Sequence, residues 1–292
     1  MTSTVAVIGL GNMGGAVAAR LATAFTTTGF DPFPDARARA ESDGVRPAAS
    51  IRDAVAEADV IITSLPTPAI ARAAWMDPDG VIAEARPGST VIELSTIDPQ
   101  TMRDFGAAGQ RAGLRVVDSP VSGGPNEARA GKLVLLVGGD DADVDAASDA
   151  LETIGTINRT GALGTAKVVK IVNNMMTMAN VAAASEAFAL GVAAGVDPER
   201  LFDLLKNSGG TSQHFVKRFP WVLAGDYDAR FSLEMGEKDL ALALELARAE
   251  HMPAPVAATG QSLYQNAIRS GLAGKDIVAL HALYTRWATE PT

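Results

Sequence analysis

The stretch VAVIGLGNMGGAVAARLA (residues 5–22) decides how this chain is read. It begins as an apolar, β-branched run, turns through Gly9, Gly11 and Gly14, and continues in an alanine-rich segment with helical spacing. Glycines in a G-x-G-x-x-G pattern mean little alone, but here they follow a strand and open a helix, the context in which each has a physical task. Gly9 permits the tight turn, Gly11 lets backbone N–H groups approach a pyrophosphate, and Gly14 lets helix and strand pack closely. The helix N-terminus adds unsatisfied donors and the positive end of a dipole, which favour an anion. The whole loop, Gly9, Leu10, Gly11, Asn12, Met13 and Gly14, is the candidate binding turn, with the Met13 side chain read as packing. The competing reading is a generic strand-to-helix turn.

Working outward, a second strand should end within FTTTGFDPFPD (25–35). Asp31 stands roughly 20 residues beyond Gly9, the spacing of an acid that accepts from a ribose 2′-hydroxyl. A carboxylate there repels a 2′-phosphate, so NAD is expected rather than NADP; the local alternative is a helix cap around Pro34. Further β-branched runs lie at 58–66, 89–95, 114–121 and 132–139, with helical segments such as 14–24 and 101–112 between them. Strands alternating with helices imply a parallel sheet covered on both faces. Ligands of such sheets sit beyond the carboxyl ends of the strands. That places Leu65 and Pro66 of LPTP, and Thr96 of LSTI, beside the expected crevice. In DSPVSGGP (118–125), Ser122, Gly123 and Gly124 offer a hydroxyl and two unobstructed amides, a concavity suited to a small carboxylate. Alone, the same residues also fit a flexible turn.

After GALG (161–164) the pattern changes. A helix of about 30 residues is expected from 165 to about 194, and helical segments fill the remainder. This predicts an α/β domain over 1–163, then a long interdomain helix and an all-α C-terminal domain over 164–292. Within the helix, KVVKIVNNMM (167–176) sets Lys170 and Asn174 one turn apart on one face, and Lys167 can share it. Desolvation favours a neutral amine, so Lys170 can exchange a proton with a substrate hydroxyl while Asn174 holds that hydroxyl or the lysine. The competing reading is a solvated surface lysine, which fits poorly with an amide pair in an apolar run.

Bulk properties exclude other classes. The 292 residues are 47% hydrophobic and 20% charged, with a net charge of −9. Charges of both signs are scattered, which argues against nucleic acid as a partner. The chain has no cysteine, so disulfides and thiolate chemistry are excluded, and a cytoplasmic location is expected. No stretch reaches the roughly 20 uninterrupted apolar residues of a membrane span. The histidines lack metal-ligand spacing, so no metal is expected.

Taken together, VIGLGNMG (7–14), FDPFPDA (30–36), ITSLP (62–66), STIDP (95–99), DSPVSGG (118–124), GALGTAKVVKIVNN (161–174) and EKDLALA (237–243) resemble, in order, the β-hydroxyacid dehydrogenases of the 3-hydroxyisobutyrate dehydrogenase type. The resemblance implies a Rossmann NAD-binding domain and a helical domain that helps form homodimers or homotetramers. It implies that Lys170 is the catalytic lysine and Asn174 its partner. It further implies that Ser122, Gly123 and Gly124 take the substrate carboxylate, and that Thr96 and Lys238 line the nicotinamide end. The expected substrate is a small carboxylate-bearing hydroxy acid, oxidised to its semialdehyde or formed from it. One departure is Glu127, which puts an acid near the carboxylate loop where the family often has glycine. Imine reductases share the fold but usually lack the lysine. A non-catalytic NAD(P)-binding oligomerisation module would be signalled by loss of the lysine or the SGG loop, and both are present.

Overall fold

A computed structural model describes residues 4–289 of the chain. Its contacts divide the chain into two compact units, the first ending at Lys170 and the second starting at Ile171. The division falls inside the long helix, a few residues beyond the boundary expected at 163/164.

The first unit is built on a 9-stranded sheet. Its strands are β1 (Thr4–Ile8), β2 (Thr26–Phe30), β3 (Arg46–Pro47), β4 (Val60–Thr63), β5 (Thr90–Glu93), β6 (Arg115–Asp118), β7 (Val121–Ser122), β8 (Leu133–Gly138) and β9 (Gly155–Gly161). They lie in the order β3-β2-β1-β4-β5-β6-β8-β7, with β9 against β8. The helices between them are α1 (Asn12–Leu21), α2 (Pro34–Ser42), α3 (Ile51–Val55), α4 (Pro68–Met76), α5 (Val81–Glu84), α6 (Pro99–Arg111), α7 (Pro125–Arg129), α8 (Asp141–Ala146) and α9 (Ser148–Ile154). Alternate residues of one strand enter different cores. Val5 and Val7 pack with Val17 and Leu21, whereas Ala6 and Ile8 pack with Trp75 and Phe105. A strand covered on both faces needs apolar side chains at every position, which is why these segments read as unbroken apolar runs.

The sheet is not wholly parallel. β3, β2, β1, β4, β5 and β6 run parallel, but β8 pairs antiparallel with β6 and β7. A parallel return needs a crossover of about a dozen residues or more, and the connection through α7 is shorter. The register continues unbroken from Asp118 opposite Gly138 to Val121 opposite Leu135 and Ser122 opposite Val134. β6 and β7 are thus one extended segment interrupted at Ser119 and Pro120. β9 was not anticipated, because GTINRTG is polar and glycine-bounded, as suits an edge strand. The helical stretch after β8 is split, with Ala147 between α8 and α9.

Helix α10 (Thr165–Ala193) spans 29 residues, close to expectation. It is followed by α11 (Pro198–Leu205), α12 (Gln213–Leu223), α13 (Leu233–Ala249), α14 (Pro255–Ala267) and α15 (Leu280–Thr289). By length and composition α10 could cross a bilayer, although polar residues interrupt it. Met178 and Val181 of α10 pack with Leu240, Tyr264, Ile277 and Leu280 in the second unit's core. Close approach of α13 to α10 requires Gly236, whose added Cβ would lie 2.9 Å from the Met178 sulfur.

Candidate active site

The loop glycines differ in what demands them. Gly9 has φ +91°, and a Cβ there would lie 2.3 Å from the Ser64 carbonyl oxygen. A Cβ on Gly14 would lie 1.9 Å from the Gly9 carbonyl oxygen. The protein's own packing therefore requires both. Gly11 has an ordinary φ of −64°, and its added Cβ would meet no protein atom within 4 Å. Neither backbone conformation nor packing calls for glycine at that position, whereas a ligand approaching the backbone does. Gly11 is also the N-cap of α1 and supplies no side-chain acceptor, and the first turn carries no acid. By contrast Ser50, Thr67 and Asp98 cap α3, α4 and α6 through their side chains. The start of α1 keeps its donors for an anion, which fits a dinucleotide pyrophosphate. Within the loop, Leu10 is buried, Asn12 exposed, and Met13 half-buried against the core.

Asp31 follows β2 and is 7% exposed. Its carboxylate accepts from the Leu10 N–H at 2.8 Å and the Phe33 N–H at 2.9 Å, tying the glycine loop to the end of β2. Carboxylate oxygens have further lone pairs, so these bonds leave acceptor capacity for a ribose hydroxyl. The Arg37 guanidinium donates to the Asp31 carbonyl oxygen at 2.5 Å.

Leu65 and Pro66 follow β4, and Thr96 follows β5. The Leu65 N–H donates to Ser95 Oγ at 2.8 Å, and the Ser95 N–H donates to Glu93 Oε1 at 2.5 Å. Buried Glu93 also accepts from Thr63 Oγ1 at 2.7 Å and Trp75 Nε1 at 2.8 Å. These bonds fix two strand ends to each other. Because β1, β2, β4 and β5 are parallel neighbours, the glycine loop, Asp31, Leu65, Pro66 and Thr96 share one edge of the sheet.

Ser122, Gly123 and Gly124 continue the line of β6 beyond that edge. Gly123 has φ +127°, which favours glycine. The expectation of two unobstructed amides is corrected here. The Gly124 N–H donates to Glu127 Oε2 at 2.9 Å, as the third residue of α7 reaches back to the N-cap N–H. Lys167, three positions before Lys170 on α10, has partners of its own. It is fully buried in the first unit, with Nζ 2.9 Å from Asp118 Oδ1 and donating to the Glu93 carbonyl at 2.8 Å. Asp118 Oδ2 accepts from the Gly164 and Lys167 N–H groups, each at 3.1 Å, so it serves as a remote cap for α10.

Lys170 is half-buried and closes the first unit. One turn on, Asn174 is 5% exposed. Its Nδ2 donates to Asp239 Oδ2 at 2.5 Å, and its Oδ1 accepts from Asn173 Nδ2 at 3.1 Å. Asp239 is acceptor-only when ionised and so dictates which way the amide points. Lys238 Nζ lies 3.1 Å from Asp239 Oδ1. Asn174 and Lys238 thus meet through Asp239 in the second unit. Sequence reading missed Asp239, although it lies on the α13 face that also buries Gly236, Leu240 and Ala243, and an acid on a core face is the legible signal. His214 is half-buried, with Nε2 3.0 Å from Thr177 Oγ1. Burial, helped by Arg218 and Lys217, holds its pKa below the ordinary value. Among the described residues, no group of three or more His, Asp or Glu side chains is arranged to hold a metal.

Comparison with known proteins agrees with this geometry. Residues 4–172 match the family described as the NAD binding domain of 6-phosphogluconate dehydrogenase. Residues 164–284 match the NAD-binding domain of NADP-dependent 3-hydroxyisobutyrate dehydrogenase. The chain is 34% identical to the NAD-dependent L-serine dehydrogenase of Pseudomonas aeruginosa, over 96% of this chain and 97% of that protein. It is 33% identical to human mitochondrial 3-hydroxyisobutyrate dehydrogenase, over 92% of this chain and 83% of that protein. The solved structure of Mycobacterium tuberculosis 3-hydroxyisobutyrate dehydrogenase with L-serine superposes with a TM-score of 0.89 at 33% identity, covering 97% and 99% of the two chains. With a glycine at position 11 of the turn that its own packing does not explain and this likeness along nearly its whole length, the chain belongs to the β-hydroxyacid dehydrogenase family, as an NAD(P)-dependent CH–OH oxidoreductase of the 3-hydroxyisobutyrate dehydrogenase-like kind.

Proposed function

We propose that this enzyme oxidises a short β-hydroxy acid of the 3-hydroxyisobutyrate type to its semialdehyde, or runs the reverse reduction, with NAD as preferred cofactor and Lys170 as general acid/base. When bound, NAD supplies the acceptor for the hydride that leaves the carbinol carbon. Neutral Lys170 takes the hydroxyl proton in oxidation, and its ammonium returns a proton in reduction, a role of about 10²–10⁴-fold in rate. Asn174 orients the hydroxyl, and Asp239 orients Asn174. Ser122 Oγ and the Gly123 amide, with Gly124 beside them, hold the substrate carboxylate and so fix the reacting carbon. Thr96 and Lys238 border the nicotinamide end.

The observation that carries the reading is the buried Asn174–Asp239 bond one turn from Lys170. Buried polar groups cost stability, and such groups in an otherwise apolar setting are expected chiefly at functional sites. The preference for NAD is supported by the buried Asp31 carboxylate at the end of β2, which would repel a 2′-phosphate. Assembly as a homodimer or homotetramer is supported by the outward face of α10, where Val172, Met176 and Leu190 are exposed; light scattering coupled to size exclusion would report a single oligomeric mass. The functional test is nicotinamide reduction with NAD and NADP against a panel of short hydroxy acids. Turnover of at least one β-hydroxy acid, faster with NAD, is expected. Inertness towards the whole panel, or a preference for NADP, would overturn the corresponding part.

A further inference from the structure

The first unit contains a buried ion pair that the proposed chemistry does not use. Lys167 and Asp118 are both fully buried, with Lys167 Nζ 2.9 Å from Asp118 Oδ1. The same Nζ donates to the Glu93 carbonyl at 2.8 Å. Glu93 and Asp118 are paired residues at the ends of β5 and β6, so one side chain clamps two adjacent strand ends. Asp118 also accepts from the Lys167 backbone N–H at 3.1 Å, and thus holds that residue at both its amide and its side chain. Capping α10 accounts for the backbone bonds but not for the lysine. Stability does not account for it either, because apolar side chains commonly replace a buried ion pair at no loss.

A buried polar contact can instead supply register, as a lone polar residue does in a coiled coil. The start of α10 needs such a device. Val168 and Val169 follow Lys167, and Ile171 and Val172 follow Lys170, so β-branched apolar side chains surround the helix. Successive residues are about 100° apart round the axis, and apolar packing tolerates exchange among side chains of similar volume. The bonds of Lys167 are directional and tolerate no such exchange. We propose that Lys167 is a positioning residue whose clamp on Asp118 and Glu93 fixes the rotation and axial position of α10, and so the direction in which Lys170 projects three residues on. This rests on the reading of Lys170 as general acid/base. The Glu93 side chain accepts from the N–H of Ser95, the residue before Thr96, so the clamp ties the helix that carries Lys170 to the strand end assigned to the nicotinamide.

The test separates position from stability with two variants. Lys167→Met removes Nζ from a side chain of similar length, and Lys167→Met combined with Asp118→Asn removes both charges while the asparagine oxygen keeps the cap of α10. The single variant should melt lower than wild type, because it strands a buried carboxylate, and the double variant should recover most of that loss. Both should bind NAD as tightly as wild type in calorimetric titration. In both, kcat for the best hydroxy acid should nonetheless stay about 10–100-fold down, as for a reacting group misplaced by about 1 Å. The rate at which acetic anhydride acetylates the Lys170 amine, read by mass spectrometry against exposed Lys132, should also differ from wild type. A double variant with wild-type melting, kcat and Lys170 acetylation overturns the proposal, since the pair is then structural alone. Altered acetylation with wild-type kcat keeps the register claim and overturns the general acid/base reading instead. Should Lys167→Met fail to fold, the double variant, which strands no charge, decides alone.

Discussion

Replacing Gly11 and Gly14 separately with alanine should split two requirements that the glycine pattern combines. At Gly14 the new methyl would lie 1.9 Å from the Gly9 carbonyl oxygen. Backbone cannot yield as a flexible side chain does, so the cost is about 1–3 kcal/mol or more. At roughly 2–4 °C per kcal/mol for a chain of this size, Gly14→Ala should melt about 2–12 °C lower. At Gly11 the methyl meets no protein atom within 4 Å and φ is −64°. Reduced unfolded-state entropy gains about 0.4–1 kcal/mol, and a poorer N-cap loses a similar amount. Stability should therefore stay within about 1 kcal/mol of wild type, within roughly 4 °C. NAD affinity should nonetheless fall. Displacing the pyrophosphate from even one charge-assisted amide bond costs about 1.5–3 kcal/mol, or about 10–150-fold in Kd. Thermal melting without ligand and calorimetric titration with NAD measure the two effects independently. A Gly11→Ala variant that binds NAD as tightly as wild type would refute the assignment of that glycine to the ligand.

Asp118→Ala should destabilise the first unit by about 3–5 kcal/mol, because it strands the buried Lys167 ammonium and uncaps α10; a urea midpoint close to wild type would contradict this account. Asp31→Ser, with the Arg37 guanidinium still at the end of β2, should shift the ratio of kcat/KM for NAD over NADP towards NADP by at least about 10-fold, since removing one repulsive charge pair is worth about 1.4 kcal/mol; an unchanged ratio would remove Asp31 from cofactor choice. His214 and His281 both have pKa values below the ordinary 6.5, chiefly through burial, although Asp276 opposes the shift at His214 and the Ser185 carbonyl opposes it at His281. The unfolded chain therefore binds protons first, and stability is lost as pH falls through about 6.5 towards the depressed folded values. The melting midpoint should fall between about pH 7 and pH 5, less steeply in His281→Gln; equal slopes would contradict this.

What the sequence revealed and what it concealed follow from the range of the forces involved. The Gly9–Gly14 turn, the strand ends and the 29-residue α10 depend on neighbours close in the chain, so they could be read. Lys167 and Lys170 sit three positions apart on one helix, and spacing alone could not separate them. The distinction comes from Asp118, far away in sequence, which engages one of them inside the fold. The orientation of Asn174 likewise depends on Asp239, contributed by α13. Glu127 was visible as an unusual acid, but only coordinates reveal that it takes the Gly124 amide. β9 escaped notice because its polar, glycine-bounded sequence carries no alternating pattern, and its strand character comes from pairing with β8.

The most direct measurement of the central claim is pre-steady-state and steady-state turnover of Lys170→Ala, together with its NAD affinity. With the glycine loop, Asp31 and the SGG loop untouched, NAD should bind as in wild type, while oxidation of the best hydroxy acid slows by about 10²–10⁴-fold at neutral pH. Turnover at the wild-type rate with cofactor bound would contradict the assignment of the proton-transferring role to Lys170.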